Sequence, residues 1–492
     1  MCSFRGWGII VQDENIIMNI LLVSTNRNAL PMPVMPIGAC MVADACERAG
    51  HRVTMLDLMF ERRPREAVGN AILSSRPDVV GLSVRNIDNN DMRETAFFLD
   101  DLRRVVNTVR EHCAAPVILG GAALAVMPDA ILRFCEVSCG VLGDGETVFP
   151  LLLDRIAEGE PFGDIPGIAY LDHDGFNCTP CPGQGGTTEC GAPGYHRWVD
   201  VPAYRSQLAT APLQTKLGCA FQCVYCTYRK IEGNGHRLAD PLSVADAVTR
   251  LAASGLRDIE LVDSVFNVPY EHAMSVCDAL AKVKHGARLQ SLELNPRSFD
   301  DALVSAMERA GFAGMGLTVE SASDRVLEGL RKGFTTREVH NAAEVMGRHR
   351  IPCAWIFLLG GPGETQETVR ETIRFAGTAA RRQDVVFFNI GIRIYPGTAL
   401  ETIARRQGML TAPPDQMLRP VFYVSPDVDA AWMMDEVRRS MSDHMNFINT
   451  DSIGLSILPR VHRIAHLLGV RPPLWKHTRF IRRGLRMTGM DV

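Results

Sequence analysis

Three cysteines in one short stretch, Cys219-Ala-Phe-Gln-Cys223-Val-Tyr-Cys226, carry the sharpest chemical signal in this chain of 492 residues. Thiolates at C-x3-C-x2-C spacing can hold three irons of a [4Fe-4S] cluster and leave the fourth iron without a protein ligand. An open iron can take a substrate or a cofactor, which a closed structural site cannot. A zinc site and a set of buried thiols are the other readings. Zinc sites usually pair C-x2-C knuckles and use four ligands, and no fourth partner stands nearby in the sequence. A strand over 211–218 runs directly into Cys219, and Phe221, Tyr225 and Tyr228 interleave the thiols.

The elements that must position this loop alternate in type. Strands read at 258–263, 289–294, 314–320, 352–360 and 385–394 are separated by helical stretches. Polar residues fall where the strands end, the place where barrel enzymes keep their functional groups. The cysteine motif and this rhythm resemble the radical S-adenosylmethionine (SAM) superfamily. The resemblance implies a partial (β/α)6 TIM-like barrel, an open iron that chelates SAM, and reductive cleavage of SAM to a 5′-deoxyadenosyl radical. It also implies SAM-binding roles along the strand ends. Tyr225 is expected at the adenine. Asp263 stands where the family often has Gly-Gly-Glu. Arg297 faces either the SAM carboxylate or Asp300 and Asp301. Glu320 is expected at the ribose, its alternative being a cap network with Ser321 and Ser323. Gly360, Gly361 and Gly363 form a turn that lets backbone approach the adenine, and Arg393 is expected at the pocket floor.

The first 160 residues show a second βα alternation, read as a doubly wound, Rossmann-like parallel sheet. The ligands of such sheets bind at the carboxyl ends of the strands. The candidate loops are 24–38, 83–91, 120–127 and 143–146. They resemble the cobalamin-binding domain that precedes many radical SAM domains. Pro36, Ser83, Arg85, Gly120, Gly121, Gly143 and Glu146 are the residues expected around cobalamin. The Asp-x-His-x-x-Gly signature is absent, and Arg27-Asn-Ala-Leu30 stands in its region, so no histidine is offered to cobalt. The alternative is a flavodoxin-like sheet that binds nothing.

Composition sets the outer bounds. Lys and Arg number 52 against 56 Asp and Glu, a net charge of −4, which argues against nucleic acid as a partner. No run of 18 apolar residues spans a membrane, and no secretory signal opens the chain. The 14 cysteines suit a reduced cytoplasm. Residues 1–17 have no place in the sheet, so Met18 is the expected true start. The expected division is 18–160 for the cobalamin domain, 161–204 for a linker, 205–410 for the barrel and 411–492 for a mostly helical tail. Within the linker, Cys178, Cys181 and Cys190 are either plain thiols or a second metal site. The tail carries eight Lys or Arg and no acid over 460–486, which suits a solvated helix, a cover for the active site or peripheral membrane contact.

The reading is a cobalamin-dependent radical SAM enzyme, implied by the resemblance to be a C-methyltransferase acting on a small-molecule or lipid-like substrate. Its cofactors would be a [4Fe-4S] cluster, SAM and cobalamin, and its electrons would come from an external donor such as flavodoxin or ferredoxin. A radical rearrangement, ring contraction or oxidative cyclisation with the same cofactors, and a sensor without turnover, are the alternatives.

Overall fold

The computed structural model describes residues 17–181, 186–450 and 457–487. The expected leader over 1–17 lies outside the described residues but for its last one. The first sheet has seven strands. Five are parallel, in the order Arg52–Asp57, Asn19–Ser24, Val79–Ser83, Val117–Gly120, Cys139–Val141. Asn19–Ser24 lies inside the sheet, between Arg52–Asp57 and Val79–Ser83, where Ile20 to Val23 are apolar and buried on both faces. The chain reverses direction of growth beside this strand. The loops after Asn19–Ser24 and Val79–Ser83 therefore flank the crevice where such sheets bind ligands.

Three local readings differ from the structure. The sequence over 91–113 reads as one helix, but the helix begins only at Leu99. The side chains of Asn89 and Asp91 accept backbone N–H bonds from Asp91, Arg93, Glu94 and Ala96, closing turns that compete with a helix. An unanticipated helix, Pro64–Ser75, follows the second strand. The stretch read as linker supplies an antiparallel hairpin, Ile168–Asp172 and Gly175–Cys178, that extends the first sheet.

The second sheet is parallel throughout, in the order Ala211–Leu213, Asp258–Leu261, Arg288–Leu294, Phe312–Glu320, Cys353–Leu359, Val385–Ile390, Phe447–Asn449. Its last strand comes from the region read as helical. The tail also closes the end of the barrel opposite the strand C-termini. Trp475 packs against Gly314, and Lys476 Nζ donates to the Ala313 carbonyl at 3.1 Å, both at the start of the strand Phe312–Glu320. Trp475 and Lys476 thus lie away from the strand C-termini, whereas Ser425 N, earlier in the tail, donates to the Gly360 carbonyl.

Four aspartates of the first domain reach across to the remainder of the chain. Asp44 accepts from Trp198 Nε1 at 2.7 Å and from Gly194 N at 2.9 Å. Asp57 accepts from Tyr204 Oη at 2.6 Å. Asp144 pairs with both terminal nitrogens of Arg237. Asp88 pairs with Arg393 Nε at 3.1 Å, and both side chains are buried. The other nitrogens of Arg393 donate to the carbonyls of Ile394, Met417 and Leu418. Arg393 is thus a clamp between the domains, with each of its three guanidinium nitrogens engaged by protein groups, a different role from the pocket floor expected of it. Arg393→Met should lower the first urea unfolding transition by about 3–5 kcal/mol, the usual cost of orphaning one partner of a buried pair. Removing both charges in Asp88→Leu with Arg393→Met should cost less than the single change. An unaltered transition in the single variant would show that the pair holds nothing.

Candidate active site

The C-termini of the first-sheet strands and of the first two barrel strands, Ala211–Leu213 and Asp258–Leu261, look into one shared space. A cavity of about 340 Å³ lies between them. From the first domain it is lined by Ser24, Asn26, Pro36, Ser83, Arg85, Gly120, Gly121, Gly143 and Glu146 among others. From the barrel it is lined by Pro212, Gln214, Leu217, Tyr228, Ile231, Glu232 and Val262. All seven residues expected around cobalamin are in that wall, although they come from four separate loops. Two observations fit a bound group there. The Nδ2 of Asn26 is buried without a hydrogen-bond partner. A Cβ on Gly120 would have only the Val141 carbonyl, 3.9 Å away, within reach, so its missing side chain leaves cavity space. No histidine is among the lining residues, in keeping with the missing Asp-x-His-x-x-Gly.

Gly121 has a structural role. Its φ is +97°, and a Cβ would stand 2.6 Å from the Val84 carbonyl, so only glycine lets these two loops cross. Glu232 fastens the cavity wall to the cysteine loop. Its carboxylate accepts from Gly218 N at 3.1 Å and Gln214 Nε2 at 3.1 Å, and burial pushes its carboxyl up to about 7.

Cys219, Cys223 and Cys226 lie in the irregular loop that follows the short strand Lys216–Leu217. All three are free thiols; Cys219 is buried and the other two are half-buried. Burial raises the Cys223 thiol and pushes Cys226 up to about 12, with the neighbouring cysteines adding to the shift. Three soft donors on one loop fit an iron–sulfur cluster, since a bound metal deprotonates its thiols. Cys178, Cys181 and Cys190 do not gather as a metal site. Cys190 Sγ donates to the Gln214 carbonyl at 3.5 Å. Among the described residues, the only three candidate ligand atoms all within 4.8 Å of one another belong to Asp172, His173 and Asp174, at a hairpin turn; neither cysteine trio is gathered that closely.

Tyr225 and Glu320 meet directly: Tyr225 Oη donates to Glu320 Oε1 at 2.7 Å. Lys332, which the motif reading missed, donates to the same oxygen at 3.1 Å and lies 3.2 Å from Tyr225 Oη. Burial opposes the charge on Lys332, but Glu320 and the nearby thiols outweigh it and hold the ammonium above its ordinary range. Glu320 has a φ of +64°, and the strand pairing shifts register beside it. That irregularity re-aims the side chain at the end of an apolar strand. The alternative cap role for Ser321 is not seen: its hydroxyl pairs with Thr372 and accepts from Ser323 N.

The remaining expected residues divide. Arg297 is exposed and lies beside the cysteine loop: a Cβ on Gly333 would be 3.6 Å from the Phe221 ring and 3.9 Å from Arg297 Nη1. It does not pair with Asp300, which accepts from Tyr270, or with Asp301, which pairs with Arg348. Asp263 is fully buried and accepts from Thr215 N, Thr215 Oγ1 and Lys216 N. Its carboxylate therefore locks the strand leading to the cysteines and is not free for a ligand. The turn Gly360 to Glu364 is tied by the Glu364 carboxylate, which accepts from Gly360 N and Thr368 Oγ1. Gly360 and Gly363 have φ of +94° and +87°. Glu293 was also missed; burial pushes its carboxyl up to about 7, with Glu320 and Lys332 nearby.

Comparison with known proteins agrees with this geometry. Residues 214–376 match the Radical SAM superfamily model, and residues 24–153 match the B12 binding domain. The chain belongs to the radical SAM superfamily. It is a cobalamin-binding member, with an iron–sulfur cluster, SAM and cobalamin as its cofactors. The chain is 25% identical to a tryptophan 2-C-methyltransferase of Streptomyces laurentii over 75% of this chain and 72% of that one. It is 25% identical to an uncharacterized methyltransferase of Pyrococcus horikoshii over 80% of this chain and 84% of that one. Among solved structures, the methyltransferase TsrM of Kitasatospora setae, with cobalamin and a [4Fe-4S] cluster bound, superposes with a TM-score of 0.84. That likeness covers 96% of this chain and 99% of TsrM at 24% identity, and it shows the shared fold. No helix among the described residues is long and apolar enough to cross a membrane.

Lys332 gives a direct test of the carboxylate reading. Lys332→Met should weaken SAM binding to the reconstituted protein by about tenfold or more, a loss of about 1.4 kcal/mol or more. The effect should shrink in a Glu320→Gln background, because Lys332 acts through Glu320. Equal losses in both backgrounds, measured by anaerobic titration calorimetry, would separate Lys332 from the carboxylate.

Proposed function

We propose that this chain is a C-methyltransferase that moves the methyl group of SAM, by way of cobalamin, to an unactivated carbon of a small molecule. The observation that carries the reading is the single cavity shared by the cobalamin loops and the barrel strand ends. Bound there, cobalamin supplies a methyl carrier and the cluster supplies one-electron chemistry on SAM. The chain's own residues set positions. Asp144 and Arg237 hold the Gly143–Glu146 loop against the barrel. Lys216 donates to the Val265 and Val268 carbonyls and so fixes the loop after the second barrel strand. Tyr225 and Lys332 leave one carboxylate oxygen of Glu320 open to accept from a ribose hydroxyl. The resemblance to methyltransferases along most of the chain supports transfer over rearrangement. A small external electron carrier, in a reduced cytoplasm, completes the proposal.

The reconstituted protein, given trideuteromethyl-SAM, a reductant and a small-molecule extract, should yield a product that carries the labelled methyl on carbon. The label should vanish when Cys219, Cys223 and Cys226 are all changed to Ala. Steady conversion of SAM to 5′-deoxyadenosine with an unlabelled, altered product would instead mark a radical rearrangement or cyclisation.

A further inference from the structure

The C-terminal helices have an unusual outward face. The helix Leu458–Leu467 buries His462 and Ala465, and it packs near the helix Val201–Ser206. Arg460, Arg463, Ile464 and Leu467 are among its exposed residues, with His466 beside them, followed by Leu468 and Arg471. Spacings of three and four place them along one side. The helix Thr478–Met487 repeats the arrangement. It buries Arg482, which donates to the carbonyls of Met441, His444 and Phe447. Its exposed residues are Phe480, Arg483, Gly484 and Met487, again at spacings of three and four.

A helix lying on a protein surface normally turns polar side chains to water. Among the described residues, the four most exposed large apolar side chains, Leu467, Met487, Phe480 and Leu468, are on these outward stripes. Ile464, Leu467, Leu468, Phe480 and Met487 are between 58% and 83% exposed. Single exposed hydrophobics are ordinary, but five on two neighbouring stretches of sequence are not. The charge pattern is one-sided as well. Residues 457–487 contain no Asp or Glu, and four of their arginines, Arg460, Arg463, Arg471 and Arg483, are exposed. Apolar side chains that alternate with arginines and lack any acid suit a surface that is apolar inside and anionic outside. A protein partner would need a matching acidic and apolar groove. A second copy would have to bring these arginines onto its own, with repulsion and no acid to offset it.

We propose that this C-terminal face docks the protein on an anionic lipid bilayer. The five apolar side chains enter the headgroup boundary, and the exposed arginines meet lipid phosphates. Between the two helices, Trp475 and Lys476 meet the strand start at Gly314 and Ala313, at the end of the barrel away from the cysteine loop. Docking there would leave the mouth of the shared cavity free, so it sets where the enzyme works without entering its chemistry. This inference does not depend on the reaction being methyl transfer.

Flotation of the full-length reconstituted protein with vesicles tests it. Vesicles of phosphatidylglycerol and phosphatidylcholine should carry the protein up the gradient, and pure phosphatidylcholine vesicles should not. Changing Arg463, Arg471 and Arg483 together to Gln should weaken vesicle binding on the order of 100-fold, at about fivefold for each charge near the surface. Leu467→Ser with Phe480→Ser should also release it. Both variants should retain cobalamin, cluster and SAM turnover, which shows that they fold. Absence of flotation, equal flotation with neutral vesicles, or dimerisation abolished by the same variants would overturn the proposal; the last would make a second copy the occupant.

Discussion

A carboxylate buried at a domain boundary must find a partner or cost several kcal/mol. Of the four aspartates the first domain sends across, Asp88 is buried and Asp44, Asp57 and Asp144 are half-buried, and each has a partner. Asp44, Asp57, Asp88 and Asp144 come from a helix, a strand end and two loops and meet Trp198, Tyr204, Arg393 and Arg237. The partners are spread over nearly two hundred residues of sequence. Together they fix how two independent α/β sheets face each other. A parallel sheet gathers its ligands at its strand C-termini, so facing the two sheets end to end makes one chamber from two sites. Everything proposed for the chemistry rests on that orientation.

The cysteine loop depends on the same economy. It has no regular structure of its own, and its shape comes from neighbours. Gly218 is held by Glu232, the preceding strand by Asp263, and Val224 N by the Leu330 carbonyl. Glu320, Tyr225 and Lys332 form a buried group beside it in which one charge pair is satisfied by a phenol. Such a group is stable only when all members are present. That is a reason for the left-handed backbone at Glu320 to persist at the end of an otherwise apolar strand.

Much of this was legible in the sequence because it is local. The cysteine spacing, the glycine turn at Gly360 and the apolar strand Ile20 to Val23 each announce themselves within ten residues. The cobalamin wall was legible for a different reason: strand ends are predictable wherever βα alternation is. What escaped was non-local. Lys332 stands 106 residues beyond Cys226 in a loop with no motif, and only folding brings it to Tyr225. Arg393 sits in a stretch that resembles a pocket element, yet its partner Asp88 lies 305 residues away. The hairpin Ile168–Asp172 with Gly175–Cys178 hid in a segment whose Gly, Pro and Cys read as linker. The late strand Phe447–Asn449 is three residues long and owes its pairing to Val386, Phe387 and Phe388, with no pattern of its own.

The central claim is that the two domains make one reaction chamber, and that methyl leaves SAM only when cobalamin fills its half. The direct measurement is S-adenosylhomocysteine formation by the cluster-loaded protein, with and without cobalamin, compared with an Arg237→Gln variant that frees the Gly143–Glu146 loop from the barrel. S-adenosylhomocysteine should form only with cobalamin, with a marked loss in the variant despite retained cofactors. Formation without cobalamin, or an undiminished rate in the variant, would contradict it.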